Sequence, residues 1–160
     1  MFLTSLGAVH FTAAIMALVM GLSVFPAAKG TPFHRAIGAG YVLAMLVVNV
    51  TALNLYRLTG QFNVFHVLAF VSLTSVAAGL WPLVTRKEGW LPNHLARMTG
   101  SYFGLLAAAA AEAVSRIPTL RPYFSSPEKI FAISLAITVV FVGLAIVLNR
   151  RMILTYAKPA

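Results

Sequence analysis

Long apolar runs broken by short polar turns dominate the chain. A helix needs roughly 20 apolar residues to cross a hydrocarbon core about 30 Å thick. Five runs meet that length, at about 3–25, 34–56, 62–84, 94–114 and 130–148. Pro26 ends the first, and the linker to Phe33 carries Gly30 and Pro32. Thr59-Gly60-Gln61 separates the second from the third, and the stretch from Arg86 to Pro92 separates the third from the fourth, with Pro92 suited to a helix entry. The longest linker, Arg116 to Ser126, contains Pro118 and Pro122, with Pro127 just beyond. Its Tyr123-Phe124 pair suits the membrane interface, where aromatic side chains are favoured. Short linkers force neighbouring helices to run antiparallel. The pattern predicts an all-α integral membrane protein with a single transmembrane domain over residues 1–160. Five transmembrane helices are expected, an up-down four-helix core plus one flanking helix. The run Ala107–Ala111 is read as helix interior, and no internal repeat or low-complexity tract stands out. The first run is long for a signal-peptide core and no basic residue precedes it, so it is read as a retained span.

Composition agrees with this class. The chain has 160 residues, 60% hydrophobic and only 9% charged, where soluble domains carry about 25% charged residues. The formal charge of +9 does not indicate nucleic acid, because the basic residues stand singly or in pairs between apolar runs. With no cysteine, disulfides, iron–sulfur clusters and thiolate ligands are excluded. Lys29, Arg35, Arg86, Lys87, Arg97, Arg150, Arg151 and Lys158 fall on one side of the threading, and Arg57, Arg116, Arg121 and Lys129 on the other. The positive-inside rule then puts the C-terminus in the cytoplasm and the N-terminus outside.

The four histidines, His10, His34, His66 and His94, each fall early in a different run. Antiparallel threading sorts them into two layers. His10 and His66 share the outer one, and His34 and His94 the cytoplasmic one. In an up-down bundle the members of each pair sit on diagonal helices. The layers are about 20 Å apart by helical rise. Ionisable residues inside a membrane are rare and usually functional, and neutral imidazole is a good axial ligand for haem iron and for zinc or copper. All four histidines are therefore candidate metal ligands, and two bis-histidine b-type haems are the expected cofactors.

Neighbouring residues suit that reading. Ala14, Ala17 and Gly21 continue the His10 face, and Gly38 follows His34 by one turn, giving room for a flat macrocycle; small residues also serve simply to pack membrane helices. Arg35 and Arg97 adjoin His34 and His94, with Lys29 nearby, and are candidate partners for haem propionates. Arg57, Arg116 and Arg121 could serve the other side. Glu112, the acid well inside an apolar run, is a candidate proton carrier or second-shell partner. With His10 and His66 it would alternatively form a two-histidine-one-carboxylate site for zinc or copper. Met98, one turn after His94, is an alternative ligand but more simply a packing residue. Asn49, Thr51 and Asn54 read as helix-packing polar residues.

The pattern Lys29-Gly30-Thr31-x-x-His34-Arg35-x-x-Gly38, then His66, then His94-x-x-x-Met98 resembles a bacterial membrane family known as domain of unknown function 2306. The resemblance covers the first four runs and implies no activity. Where members show Pro-Gly-Arg after the fourth run, this chain has Pro118-Thr119-Leu120-Arg121. The placement of the histidines is also similar to the cytochrome b-561 type of electron carrier, whose four-helix core holds two b haems between alternate helices. That analogy implies one haem on His10 and His66 and the other on His34 and His94, with the fifth helix outside the core at a homodimer contact.

The expected function is a transmembrane b-type cytochrome, a membrane oxidoreductase carrying electrons from quinol or a small reductant. The alternatives are a zinc or copper enzyme or transporter using His10, His66 and Glu112, and a structural or assembly subunit.

Overall fold

The computed structural model describes residues 4–56, 60–86 and 88–156. Arg57, Lys87 and Lys158, which enter the charge count above, lie outside these residues. Each of the five apolar runs is an α-helix: α1 Ser5–Val24, α2 Pro32–Ala52, α3 Val64–Thr85, α4 Trp90–Ser115 and α5 Pro127–Tyr156. A 3₁₀ helix, Pro118–Phe124, fills the linker between α4 and α5. The protein is all-α. By length and composition α1, α2, α3 and the Pro127–Met152 part of α5 can cross a membrane. At 26 residues α4 is long enough, but Asn93, His94, Arg97, Thr99, Ser101 and Glu112 make it the most polar of the five.

Local chemistry sets the helix ends. Thr4 and Thr31 cap α1 and α2, each accepting from the backbone N–H three residues on at 3.2 Å, and Pro32 occupies the first turn of α2. Between these helices Gly30 adopts φ 79°, a left-handed turn that a side chain would oppose. Lys29 Nζ folds back to donate to the Val24 and Phe25 carbonyls at 2.8 and 3.0 Å, closing the C-terminus of α1. Burial holds its ammonium below the ordinary lysine pKa. At the end of α3, Arg86 takes φ 49°, donates Nε–H to Leu83 O at 2.9 Å and lays its guanidinium 4.7 Å from the Trp90 ring centre.

The chain divides into two compact units, Met1–Leu73 and Thr74–Ala160. In the first, α1 packs on α2. Ala13, Ala17 and Gly21 form the buried stripe of α1 at helical spacing, so small side chains let the two backbones approach. A Cβ on Gly40 would lie 2.8 Å from Met20 Sδ, so the end of the Met20 side chain fills the space a larger residue there would need. Asn49, buried on α2, donates to Met45 O at 2.8 Å and to Ser72 Oγ at 3.1 Å, tying α2 to α3. In the second unit α4 packs on α5, with the Phe103 and Phe141 rings 6.5 Å apart. Large apolar side chains cover the outside, among them Trp81 at 68% and Val84 at 78% exposure. Such a surface belongs in lipid.

Candidate histidine centres

His10 stands on α1 against the last full turn of α2. Its Nδ1 lies 2.9 Å from Thr51 Oγ1 and 3.1 Å from Val48 O. Thr51 commits its own hydroxyl proton to the Val47 and Val48 carbonyls at 2.7 and 3.0 Å. Both groups facing Nδ1 are therefore acceptors, and the ring proton belongs on Nδ1. Nε2 is left with a free lone pair. An Nδ1–H bonded to backbone with a basic Nε2 is the usual arrangement of a metal-binding imidazole.

His94, in the second turn of α4, repeats this chemistry in the other unit. Its Nδ1 is 2.8 Å from Gly79 O on α3. A carbonyl only accepts, so Nδ1 again donates and Nε2 again carries the lone pair. Gly79 is what allows this approach. A Cβ there would fall 2.6 Å from Met98 Sδ and 3.4 Å from Arg97 Cβ, so a side chain would require the Met98 side chain to move out of this contact. Met98 is thus a packing residue, the simpler of its two expected roles.

His66 departs from the ligand expectation. It lies in the first turn of α3, 1% exposed. Its Nδ1 accepts from the Asn63 backbone N–H at 3.2 Å. An amide N–H only donates, so the neutral ring holds its proton on Nε2, the nitrogen a haem iron would need. Among the described residues that Nε2–H is buried without a hydrogen-bond partner. The ring is stacked near Tyr56 and Phe62, at 4.6 and 5.0 Å between centres. A buried donor left unmade costs about 1–3 kcal/mol. In this arrangement His66 does not fit an axial ligand.

His34, half-buried in the first turn of α2, donates its backbone N–H to Thr31 Oγ1 at 3.2 Å. Thr51 is about 25 Å further along the same helix, at 1.5 Å per residue. His10, on α1 beside the last turn of α2, and His34, in the first turn of α2, therefore lie near opposite ends of that helix. His66, beside Tyr56, lies near the same end of α2 as His10. His94 belongs to the second unit and is described within it.

Two of the expected charged partners, Lys29 and Glu112, make other contacts. Lys29 closes α1, so the Lys29-Gly30-Thr31 part of the sequence pattern is turn chemistry rather than an anion site. Arg35 and Arg97 are exposed. Glu112, 44% exposed on its side chain, forms an ion pair with Arg116 one turn on. Among the described residues no group of three or more His, Asp or Glu side chains gathers as a metal site, so the His10, His66 and Glu112 zinc or copper alternative gains no support. Of the small residues expected beside His10, Ala17 and Gly21 are buried and Ala14 half-buried; they lie on the face that packs α1 on α2, whereas a Cβ on Gly38 would meet nothing within 4 Å.

Sequence reasoning missed the residues that set the tautomers. Thr51 reads from sequence as a packing residue, and Val48 and Asn63 carry no signal. Two act through main-chain carbonyls and one through a main-chain N–H, which any residue type supplies. Only Gly79, a small residue in an apolar run, left a trace.

No curated protein and no solved structure matches the chain. The family described as "Predicted membrane protein (DUF2306)" matches residues 7–153, which takes in all four histidines and all five helices except the ends of α1 and α5. The chain belongs to this family of predicted membrane proteins.

Proposed function

We propose that the protein is a b-type cytochrome of the membrane, an electron carrier with His10 and His94 as axial haem ligands. The observation that carries this reading is the shared hydrogen bonding of those two rings. Each donates Nδ1–H to a backbone carbonyl or to a hydroxyl held as an acceptor, and each keeps its Nε2 lone pair. Such bonds fix ring orientation and raise ligand basicity. Bound haem would supply one-electron chemistry. The protein's part is to hold each imidazole rigidly, through Thr51 and Val48 for His10 and through Gly79 for His94. His66 stands outside this ligand set. The donor in this reading is quinol or a small reductant, and the membrane is the bacterial inner membrane with the C-terminus cytoplasmic.

Iron and haem analysis of protein purified in mild detergent tests the reading. It expects iron extractable as non-covalent haem b. Zinc or copper in its place, or stoichiometric absence of any metal after gentle purification, overturns it.

A further inference from the structure

The buried Nε2–H of His66 is a group the haem reading does not use. We propose that it is the hydrogen-bond donor of a binding site for a quinone, a neutral planar carbonyl compound carried in the bilayer. The site is independent of the haem reading.

The donor is built in. Asn63 caps α3: its Oδ1 accepts from Phe65 N–H at 2.9 Å and its carbonyl accepts from His66 N–H at 3.0 Å. Its own N–H is thereby fixed against His66 Nδ1 at 3.2 Å. The tautomer follows from main-chain geometry, and Nε2–H is left to seek an acceptor.

The surroundings select the acceptor. A metal cation meets a proton where it needs a lone pair. A water molecule requires two to four polar partners, whereas the ring contacts beside His66 are the Tyr56 and Phe62 side chains. An anion would face the negative π surfaces of those rings. A neutral carbonyl oxygen on a flat ring satisfies the donor and stacks on the same aromatic surfaces. Tyr56 and Phe62 are 46% and 57% exposed, so both lie at the surface of their unit, and in this proposal they move aside to admit a lipid-soluble ring to Nε2–H.

The test uses full-length protein in lipid nanodiscs with ¹⁵N-labelled histidine. A short-chain benzoquinone is titrated in, with an alkylbenzene of equal chain length as the partition control. The expected result is a protonated His66 Nε2 whose resonance shifts with saturation on adding the quinone and stays put with the alkylbenzene. His66→Phe keeps a ring but removes the donor, and weakens quinone binding at least tenfold. His66→Gln retains an N–H near the Nε2 position and binds within about threefold of the wild type. An unprotonated Nε2, a resonance unmoved by quinone, or wild-type affinity in His66→Phe overturns the proposal. If His66→Phe does not fold, the wild-type titration alone decides. Iron-free protein that still binds the quinone leaves this site standing while the haem reading falls. Iron-loaded protein that ignores the quinone does the reverse.

Discussion

His10 donates its Nδ1–H to Thr51 Oγ1 across the α1–α2 contact at 2.9 Å, and Val48 O stands 3.1 Å away as a second acceptor. The hydroxyl can accept only because its own proton is spent on the carbonyls one turn back. Thr51→Val keeps the shape of the side chain and removes that acceptor. Losing a partner of this kind typically costs 10–100-fold in metal affinity, and we expect haem retention at His10 to fall in that range. Thr51→Ser should restore it. Haem dissociation rates of the three proteins check this; equal rates in Thr51→Val and wild type would contradict it.

Gly79 supports His94 by what it lacks. A methyl group there meets Met98 Sδ at 2.6 Å and Cγ at 3.2 Å. Displacing Met98 from this contact costs about 1–3 kcal/mol as overpacking, and any movement of α4 that accompanies it would lengthen the 2.8 Å bond to His94. Gly79→Ala should lower thermal stability in detergent and shift the midpoint potential of the haem proposed at His94. Met98→Ala in the same chain should recover both. A double variant no better than Gly79→Ala would show that the glycine acts in another way.

Much of the fold was legible because hydropathy and helix ends have local causes. The five runs match the five helices, and the departures are physical. α2 ends at Ala52 although apolar residues continue to Tyr56, because Asn54 N–H turns back to Thr51 O. α5 extends to Tyr156, past the end of its apolar run at Leu148, since Arg150 and Arg151 are good helix formers with exposed side chains. The early placement of the histidines was also visible, and in the structure His10 packs beside the last turn of α2 while His34 lies in its first. What periodicity could not show is which ring nitrogen holds a proton. That depends on Val48 O, Gly79 O and Asn63 N–H, which are main-chain groups brought near by tertiary packing.

Lys29 predicts a stability effect in the α1–α2 turn. Its ammonium makes two hydrogen bonds to helix-end carbonyls, and bonds to charged groups are worth roughly 1.5–3 kcal/mol each before the cost of burying the charge. Lys29→Met should therefore destabilise the protein by about 1–2 kcal/mol in denaturant titration in detergent. The pH dependence has a definite sign. Burial lowers the folded pKa, so the unfolded chain binds the proton more tightly. Between the lowered folded value and the ordinary lysine value, stability rises with pH, and Lys29→Met should flatten that rise. A variant with unchanged stability and an unchanged slope would remove Lys29 from this role.

Glu112 is predicted to be dispensable for cofactor binding. Its ion pair with Arg116 is half exposed, and pairs of that kind contribute about 0–1 kcal/mol. Glu112→Gln should leave haem content unchanged and lower stability by no more than that. Loss of either haem signal in Glu112→Gln would return the residue to a proton-carrying or second-shell role.

The central claim is that His10 and His94 ligate haem while His66 does not. Dithionite-reduced minus oxidised visible spectra of the wild type and of His10→Ala, His94→Ala and His66→Phe test it most directly. The wild type should show the sharp α band of reduced haem b. His10→Ala and His94→Ala should each lose a part of it, with the two losses adding in the double variant, and His66→Phe should keep the full band. Loss in His66→Phe of the same component that His10→Ala loses would contradict this assignment and restore the His10–His66 pair, and a wild type without any haem band would contradict the account as a whole.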